Sequence, residues 1–500
     1  MLDLLYVSPE RLLSPGTTER LQRQEIALVA IDEAHCVSQW GHEFRPEYRE
    51  LACLGRLFPG VPRVALTATA DPRTRDDILA ALDMPRAEIF AASFHRPNLF
   101  LSAVPKAGET AQLLDLLTRH KGEAGIVYCG SRAKTERVTA SLNTKGIAAV
   151  AFHAGLPPQQ KREAAARFRS GEGVVVVATI AFGMGIDRPD VRFVAHLDMP
   201  DSPEAYYQQI GRAGRDGEAA DTRLLYGGED IARARYFLQG SAAPENQKRV
   251  MRARLEAMIQ LTETVACRTR ALLACFGEEL NENCGHCDNC TTPATVFDGT
   301  VAAQKALSAV YRTGQRFGAL HVINVLTGKA TEAVVKWAHD RLPTFGIGAD
   351  HPEVFWRGVI RQLIAHGAIA VEMGEFSTLS LDQERARPIL RGEQKIMLRH
   401  DSSTPKDRRR PAAGRDRAPA AELGAAGATL FDALRLWRSA EAKAQGVPPY
   451  VIFHDSTLRE IAAVQPAGMD VLAQIKGVGA SKLERYGASV LAALRGGSNG

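Results

Sequence analysis

Nowhere in these 500 residues does an apolar run approach the ~20 positions that a helix needs to cross a bilayer. The opening MLDLLYVSPE has neither the basic flank nor the small-residue cleavage site of a secretory leader. A cytoplasmic protein without a membrane partner is expected. Charge of one sign is scarce too: 62 Lys and Arg against 57 Asp and Glu leave +5, which permits a polyanionic partner without requiring one. Of only eight cysteines, Cys36, Cys53, Cys129 and Cys275 are scattered among apolar neighbours, as small core residues are. The most consequential absence is chemical. No Gly-rich turn ending in Lys and Ser or Thr, the cradle of nucleotide phosphates, occurs anywhere.

What is present is globular material, 45% hydrophobic and 24% charged, enough for three to five domains. Apolar runs LDLLYV, ALVAI, RVALTA, GIVYC, GVVVVAT, VRFVAHL and TRLLYG alternate with helical stretches up to about residue 227, which predicts parallel sheets covered on both faces. FAASFHRPNLFLS (90–102) breaks the alternation and divides it into two sheets. Residues 229–275 read as charged helices ending in a cysteine cluster. Helices over 300–367 followed by two short strands in AIAVEMGEFSTLSL (368–381) suggest a winged helix. The stretch 401–427, rich in Pro, Ala, Gly and Arg, reads as a linker whose Arg408, Arg409 and Arg410 either contact DNA or, as is usual, stay solvated, and 429–495 as a small helical unit.

Asp32 and Glu33 close the strand ALVAI at the carboxyl end of a parallel sheet, where such folds bind ligands. One acid would hold magnesium through water and the other would orient and deprotonate an attacking water. Alone, such a pair is more often an exposed first helical turn. Here LTATA (66–70) follows a second strand in phase, and that favours a motor. In YYQQIGRAGRDG (206–217), Arg212 and Arg215 are three apart, a spacing that on a helical turn aims both guanidiniums to one side, as stabilising a transferring phosphate requires. Gly211, Gly214 and Gly217 fit poorly with a merely solvated helix. AFGMGIDRPD (181–190) lacks the third glycine of a dinucleotide fingerprint and reads as a loop touching nucleotide and nucleic-acid backbone. Trp40, Phe44 and Tyr48, interleaved with Gln39 and Arg45, are spaced either for a helix core or for stacking on unpaired bases.

Cys284, Cys287 and Cys290, in repeated C-x2-C turns, form a structural zinc centre with a fourth ligand from Cys267, Cys275 or His286. Near the end, Gly477 and Gly479 precede a helix that either binds phosphate or makes a tight connection, and Tyr450 is a candidate stacking residue.

With DEAHCVSQWGHEFRPEY, LTATA, FHAGL (152–156), AFGMGID, QQIGRAGRDG and the cysteine set in this order, the chain closely resembles RecQ-family DNA helicases nearly end to end. The resemblance implies an α/β fold of two RecA-like parallel-sheet motor domains, the first incomplete (1–92 and 93–228). A helical zinc-binding domain (229–293), a winged-helix domain (294–400), a linker (401–427) and a small all-α HRDC domain (428–497) follow. It implies ATP-dependent 3′–5′ unwinding of single-stranded and forked duplex DNA in repair and recombination, with ATP, Mg2+ and Zn2+ as cofactors and with single-stranded-DNA-binding or other repair proteins as partners. By the same resemblance, Asp32, Glu33, Arg212 and Arg215 are catalytic, and His35, Gly183, Gly185, Asp187 and Gln208 also bind nucleotide. Gln39, Trp40, Phe44, Arg45, Thr67 and Thr69 couple DNA contact to hydrolysis. Trp40, Arg45, Arg132, His153 and Tyr450 contact DNA, and Cys267, Cys284, Cys287 and Cys290 hold zinc.

In that family the counterpart of LDLLYVSPERLL is preceded by a glutamine motif and the phosphate loop, which this sequence does not contain. Two expectations follow: negligible ATP turnover by these 500 residues alone, and a strand ALVAI left partly unpaired. A helicase whose record starts late, a short protein that binds DNA without hydrolysis, and a zinc-stabilised winged-helix regulator are the three readings.

Overall fold

The computed structural model describes residues 3–38, 45–171, 173–183, 188–372, 377–401 and 425–497. Twelve strands are described. Strand β1 (Val29–Ile31) and β2 (Arg63–Ala65) form a two-stranded parallel sheet. The strands β3 (Leu99–Pro105), β4 (Ala124–Tyr128), β5 (Ala149–Phe152), β6 (Val175–Ala178), β7 (Val191–His196) and β8 (Ala220–Tyr226) form a second parallel sheet in the order β3-β8-β7-β4-β6-β5. β4, β6 and β7 are buried throughout. That is why β4 and β6 read as continuous apolar runs rather than alternating ones, while β7 also buries Arg192 and His196.

The helices between strands begin where side chains satisfy their first amides. Asp71 caps Pro72–Ala81 through the Thr74 amide at 2.7 Å, Ser131 caps Arg132–Thr144, and Ser202 caps Pro203–Ile210. Each such cap contributes about 1 kcal/mol.

The expected strand in LDLLYV does not form: the segment has no ladder partner, and Leu4 and Tyr6 are 67% and 88% exposed. An apolar run becomes a strand only where a neighbour accepts its backbone hydrogen bonds, and among the described residues none lies beside it. Among the described residues β1 pairs only β2, and Leu28 and Leu66 beside them are exposed. In FAASFHRPNLFLS the last four residues join β3.

Beyond β8, helices Gly228–Gln239 and Glu245–Glu263 lead to the cysteine cluster. Helices Thr300–Arg312, Ala319–Leu326 and Glu353–His366 then pack above the antiparallel hairpin of β10 (Ile369–Glu372) and β11 (Thr378–Leu381). β9 (Val296–Asp298) and β12 (Met397–Arg399) pair antiparallel and tie the ends of this module together. One continuous core runs from the six-stranded sheet through the cysteine region to Trp356, Leu363 and Leu398. A buried charge cluster crosses the same junction. Arg361 bonds Glu263, the Tyr226 hydroxyl (3.1 Å) and Asp401 (2.8 Å), while Arg399 reaches the same tyrosine and Glu263. The last five helices, Ala425–Gln445 to Ala480–Gly497, enclose a separate core around Leu434, Ile452, Phe453, Leu458 and Val490.

Candidate functional site

Asp32 follows β1 directly and is exposed, with its Oδ1 accepting the Glu33 amide at 2.9 Å. Glu33 adopts φ +50°, a left-handed conformation that a non-glycine residue rarely takes. This turn sends the chain into the buried Ala34–Val37 segment and places the Glu33 carboxylate 3.3 Å from Nδ1 of His35. The same Nδ1 lies 3.0 Å from Oγ1 of Thr67, whose hydroxyl also meets the Thr69 carbonyl at 3.1 Å. The acids after β1 and the TAT loop after β2 are therefore joined through one buried histidine.

The second motor sheet approaches from the helix Pro203–Ile210. Nε2 of Gln208 donates to Oγ1 of Thr69 at 3.5 Å, spanning the two domains. The expectation that Arg212 and Arg215 share a helical turn is corrected: the helix ends at Ile210, and Gly214 at φ +58° turns the chain. A Cβ at Gly214 would lie 2.4 Å from Asn98 Nδ2 and 2.7 Å from the Glu218 carbonyl, so a glycine is required there. Arg212 is half-buried and donates from Nη1 to the Gly183 carbonyl at 2.5 Å, and a Cβ on Gly183 would sit 2.7 Å from its Nη2. Arg215 is exposed. Both arginines act on the Tyr128 hydroxyl at the end of β4. Burial raises that hydroxyl above its ordinary pKa against their opposing pull. Sequence reasoning missed Tyr128 because nothing in its local pattern marks a partner more than eighty residues away.

Arg132 and His153 also come together, at the carboxyl ends of β4 and β5. A Cβ at Gly155 would be 3.1 Å from Arg132 Nη1 and 3.3 Å from His153 Nδ1. His153 is buried, with Nε2 3.1 Å from Glu136 Oε1, whereas Arg132 is exposed. Arg45 is exposed and its amide bonds the Cys36 carbonyl. Gln39, Trp40, Phe44, Gly185 and Asp187 lie outside the described residues, as do Arg408, Arg409 and Arg410. Tyr450 is half-buried and lines a recess with Arg435 and Arg438 of its own unit and with Glu123, Asp190 and Arg192 of the second motor domain. Gly477 at φ +92° is needed for packing, since a Cβ there would meet Thr457 Oγ1 at 2.3 Å.

The sulfurs of Cys267, Cys284, Cys287 and Cys290 all lie within 4.8 Å of one another. Backbone amides point at them: Arg268 to Cys287 Sγ, and Cys284 to Cys267 Sγ, each at 3.3 Å. Such donors suit thiolates bound to a cation. The alternatives for the fourth ligand fall elsewhere. Cys275 Sγ bonds the Ala271 carbonyl within its helix, and His286 Nδ1 faces the Cys284 carbonyl. Beside the cluster, Arg268 and Asp288, 1% and 3% exposed, form a bidentate pair that local sequence does not announce.

Five family descriptions match in order: DEAD/DEAH box helicase (1–78), helicase conserved C-terminal domain (108–217), RecQ zinc-binding (228–291), RQC domain (293–407) and HRDC domain (428–494). The chain is 41% identical over 491 residues to the ATP-dependent DNA helicase RecQ of Pasteurella multocida, covering 97% of this chain and 76% of that one. It is 37% identical over 489 residues to ATP-dependent DNA helicase RecQ of Bacillus subtilis, covering 97% and 79%. With the RecQ-like DNA helicase BLM of Xenopus laevis it shares 34% over 538 residues, 99% of this chain and 38% of that one.

Proposed function

The chain belongs to the RecQ family of ATP-dependent DNA helicases, and from that premise we propose that its motor sheets serve 3′–5′ unwinding of forked DNA in repair and recombination once the nucleotide site is completed by a phosphate loop, which these 500 residues do not supply. The observation that carries the motor reading is the Gln208–Thr69 contact, which sets the arginine-bearing turn of one parallel-sheet domain against the acid-bearing domain of the other. In this reading Asp32 takes magnesium through water, Glu33 and His35 orient the attacking water, and Arg212 and Arg215 neutralise charge on the transferring phosphate. Gly183, Gly185, Asp187 and Gln208 take the role of binding nucleotide. Thr67 and Thr69, with Gln39, Trp40, Phe44 and Arg45, relay the state of the cleft to DNA, which Arg132, His153 and Tyr450 also contact.

Cys267, Cys284, Cys287 and Cys290 hold one structural zinc; four converging sulfurs leave no open position for catalysis. The domains divide at residues 92, 228, 293, 400 and 427. The protein acts at the nucleoid or in the cytoplasm beside single-stranded-DNA-binding and other repair proteins.

The test uses protein purified from its own cells and partial duplexes carrying a single-stranded tail on one strand. ATP-dependent unwinding is expected from a 3′ tail and not from a 5′ tail, with loss in Glu33→Gln. Equal unwinding from both tails, or none with intact DNA binding, overturns the proposal.

A further inference from the structure

We propose that Trp337 and Arg316 form a nucleobase-stacking step on the winged-helix module, taking the base at a junction between single strand and duplex. The inference rests on DNA being the ligand and adds where on this module a base is received.

Trp337 follows the short helix Glu332–Lys336 and is 47% exposed, although an indole in water forfeits the benefit of burying its large apolar surface. It is nevertheless held in place. The Arg316 guanidinium lies over its ring, 4.9 Å from the centroid, and the Phe317 ring meets it edge-on at 5.5 Å. Phe317 in turn stacks on His321, with ring centroids 4.2 Å apart, and His321 Nε2 lies 2.7 Å from Nδ1 of the buried His339. An exposed indole thus stands on a fixed aromatic base.

The backbone supports the same arrangement. Non-glycine residues with positive φ are rare, yet Gln315 (+57°) directly precedes Arg316 and Ala338 (+53°) directly follows Trp337. Each presents one member of the pair. The 315–318 segment is anchored along β11, with the Leu381 amide on Gln315 Oε1 at 2.8 Å and the Leu379 amide on the Phe317 carbonyl at 2.9 Å. The step therefore stands beside β11.

The chemistry selects the ligand. A rigid indole under a guanidinium offers a π-face and a cation together, which suits a base and its phosphate. Arg312, Lys336 and Arg341 flank the pair in sequence and are exposed. In continuous duplex the base faces are covered by their neighbours, so a stacking residue finds one only at an end, a junction or a single strand. The exposed cations on either side suit the phosphates of an adjoining duplex, which favours the junction.

The experiment uses the full chain, without nucleotide, and forked DNA carrying 2-aminopurine either at the junction or within the tail. Fork affinity is read by anisotropy and stacking by quenching of the probe. Trp337→Ala is expected to weaken fork binding about tenfold or more and to abolish quenching at the junction. Trp337→Phe retains most of both. Arg316→Gln weakens binding and lowers the salt slope by about one. A Trp337→Ala chain with unchanged melting, affinity and junction quenching overturns the proposal, as does quenching confined to tail probes. Arg316→Gln, a surface change, carries the test where Trp337→Ala does not fold. Failure of the unsubstituted chain to bind any fork is visible before substitution and overturns the DNA-binding reading itself.

Discussion

The carboxylate of Asp288 accepts the backbone N–H of Ala103 at 2.9 Å, so a residue next to the cysteine cluster closes the edge of the six-stranded sheet at β3. The same carboxylate holds Arg268 at 2.8 and 3.1 Å. Motor sheet and cysteine module therefore share one buried acid.

Replacing that acid strands a cation. Asp288→Ala leaves Arg268 buried without its partner and Ala103 without its acceptor, and breaking such a pair costs about 3–5 kcal/mol. Urea unfolding followed by tryptophan fluorescence is expected to show a lower midpoint. An unchanged midpoint would mean that water replaces both interactions at no cost.

Removing zinc acts on the same edge from the other side. With the thiolates no longer held together, the Cys287–Asp288 segment loses its fixed position, and β3 loses the cap on its outer strand edge. Hydrogen exchange after chelation is expected to accelerate in β3 well before it does in the interior strands β4 and β7. Uniform protection across the sheet would show that the two modules are independent.

Gly183 admits Arg212. In Gly183→Ala the new methyl would stand 2.7 Å from the Arg212 guanidinium and displace it from the Gly183 carbonyl. DNA-stimulated ATP hydrolysis by the natively purified protein is expected to fall by about 10³-fold, the low end of what a phosphate-facing arginine contributes. DNA affinity without nucleotide should stay unchanged; a parallel loss of binding would indicate a folding defect instead.

His196 sets an acid limit on stability. Burial lowers its pKa to about 4, against the opposing bond to Gln209 at 2.7 Å. The unfolded chain binds this proton near pH 6.5, so the contribution is full above that value and is lost as pH falls to about 4, by roughly 3 kcal/mol. His120 has the opposite sign: burial opposes its charge, but bonds to Asp221 and Glu123 outweigh burial and raise its pKa. Its contribution is full below about pH 6.5 and is lost as pH rises through the folded value. Melting temperature against pH is expected to flatten on the acid side in His196→Gln and on the alkaline side in His120→Gln.

The strands that sequence announced are those whose side chains are buried on both faces, such as VVVVAT, because burial on two sides leaves a nearly continuous apolar run. LDLLYV carries the same signal without a described neighbour, and composition cannot report a missing partner. The spacing of Cys284, Cys287 and Cys290 was legible because local turns set it. Spacing left the fourth ligand open between Cys267, Cys275 and His286, because only the fold brings Cys267 to the other three sulfurs. Arg268 with Asp288 and Arg361 with Glu263 and Asp401 were invisible for a related reason. Each joins segments 20 to 98 positions apart, and no periodicity records such a match.

The strand order carries a consequence for synthesis. β3 is the first strand of its sheet to be made and pairs with the last, Leu99 opposite Ala220. At about 5–20 residues per second on the ribosome, roughly 6–24 s separate the two. During that interval the apolar face of β3 has no permanent neighbour, and the nascent chain depends on chaperones or on fleeting contacts to stay out of aggregates. Slower translation across residues 106–219 would lengthen that window without altering a single native contact.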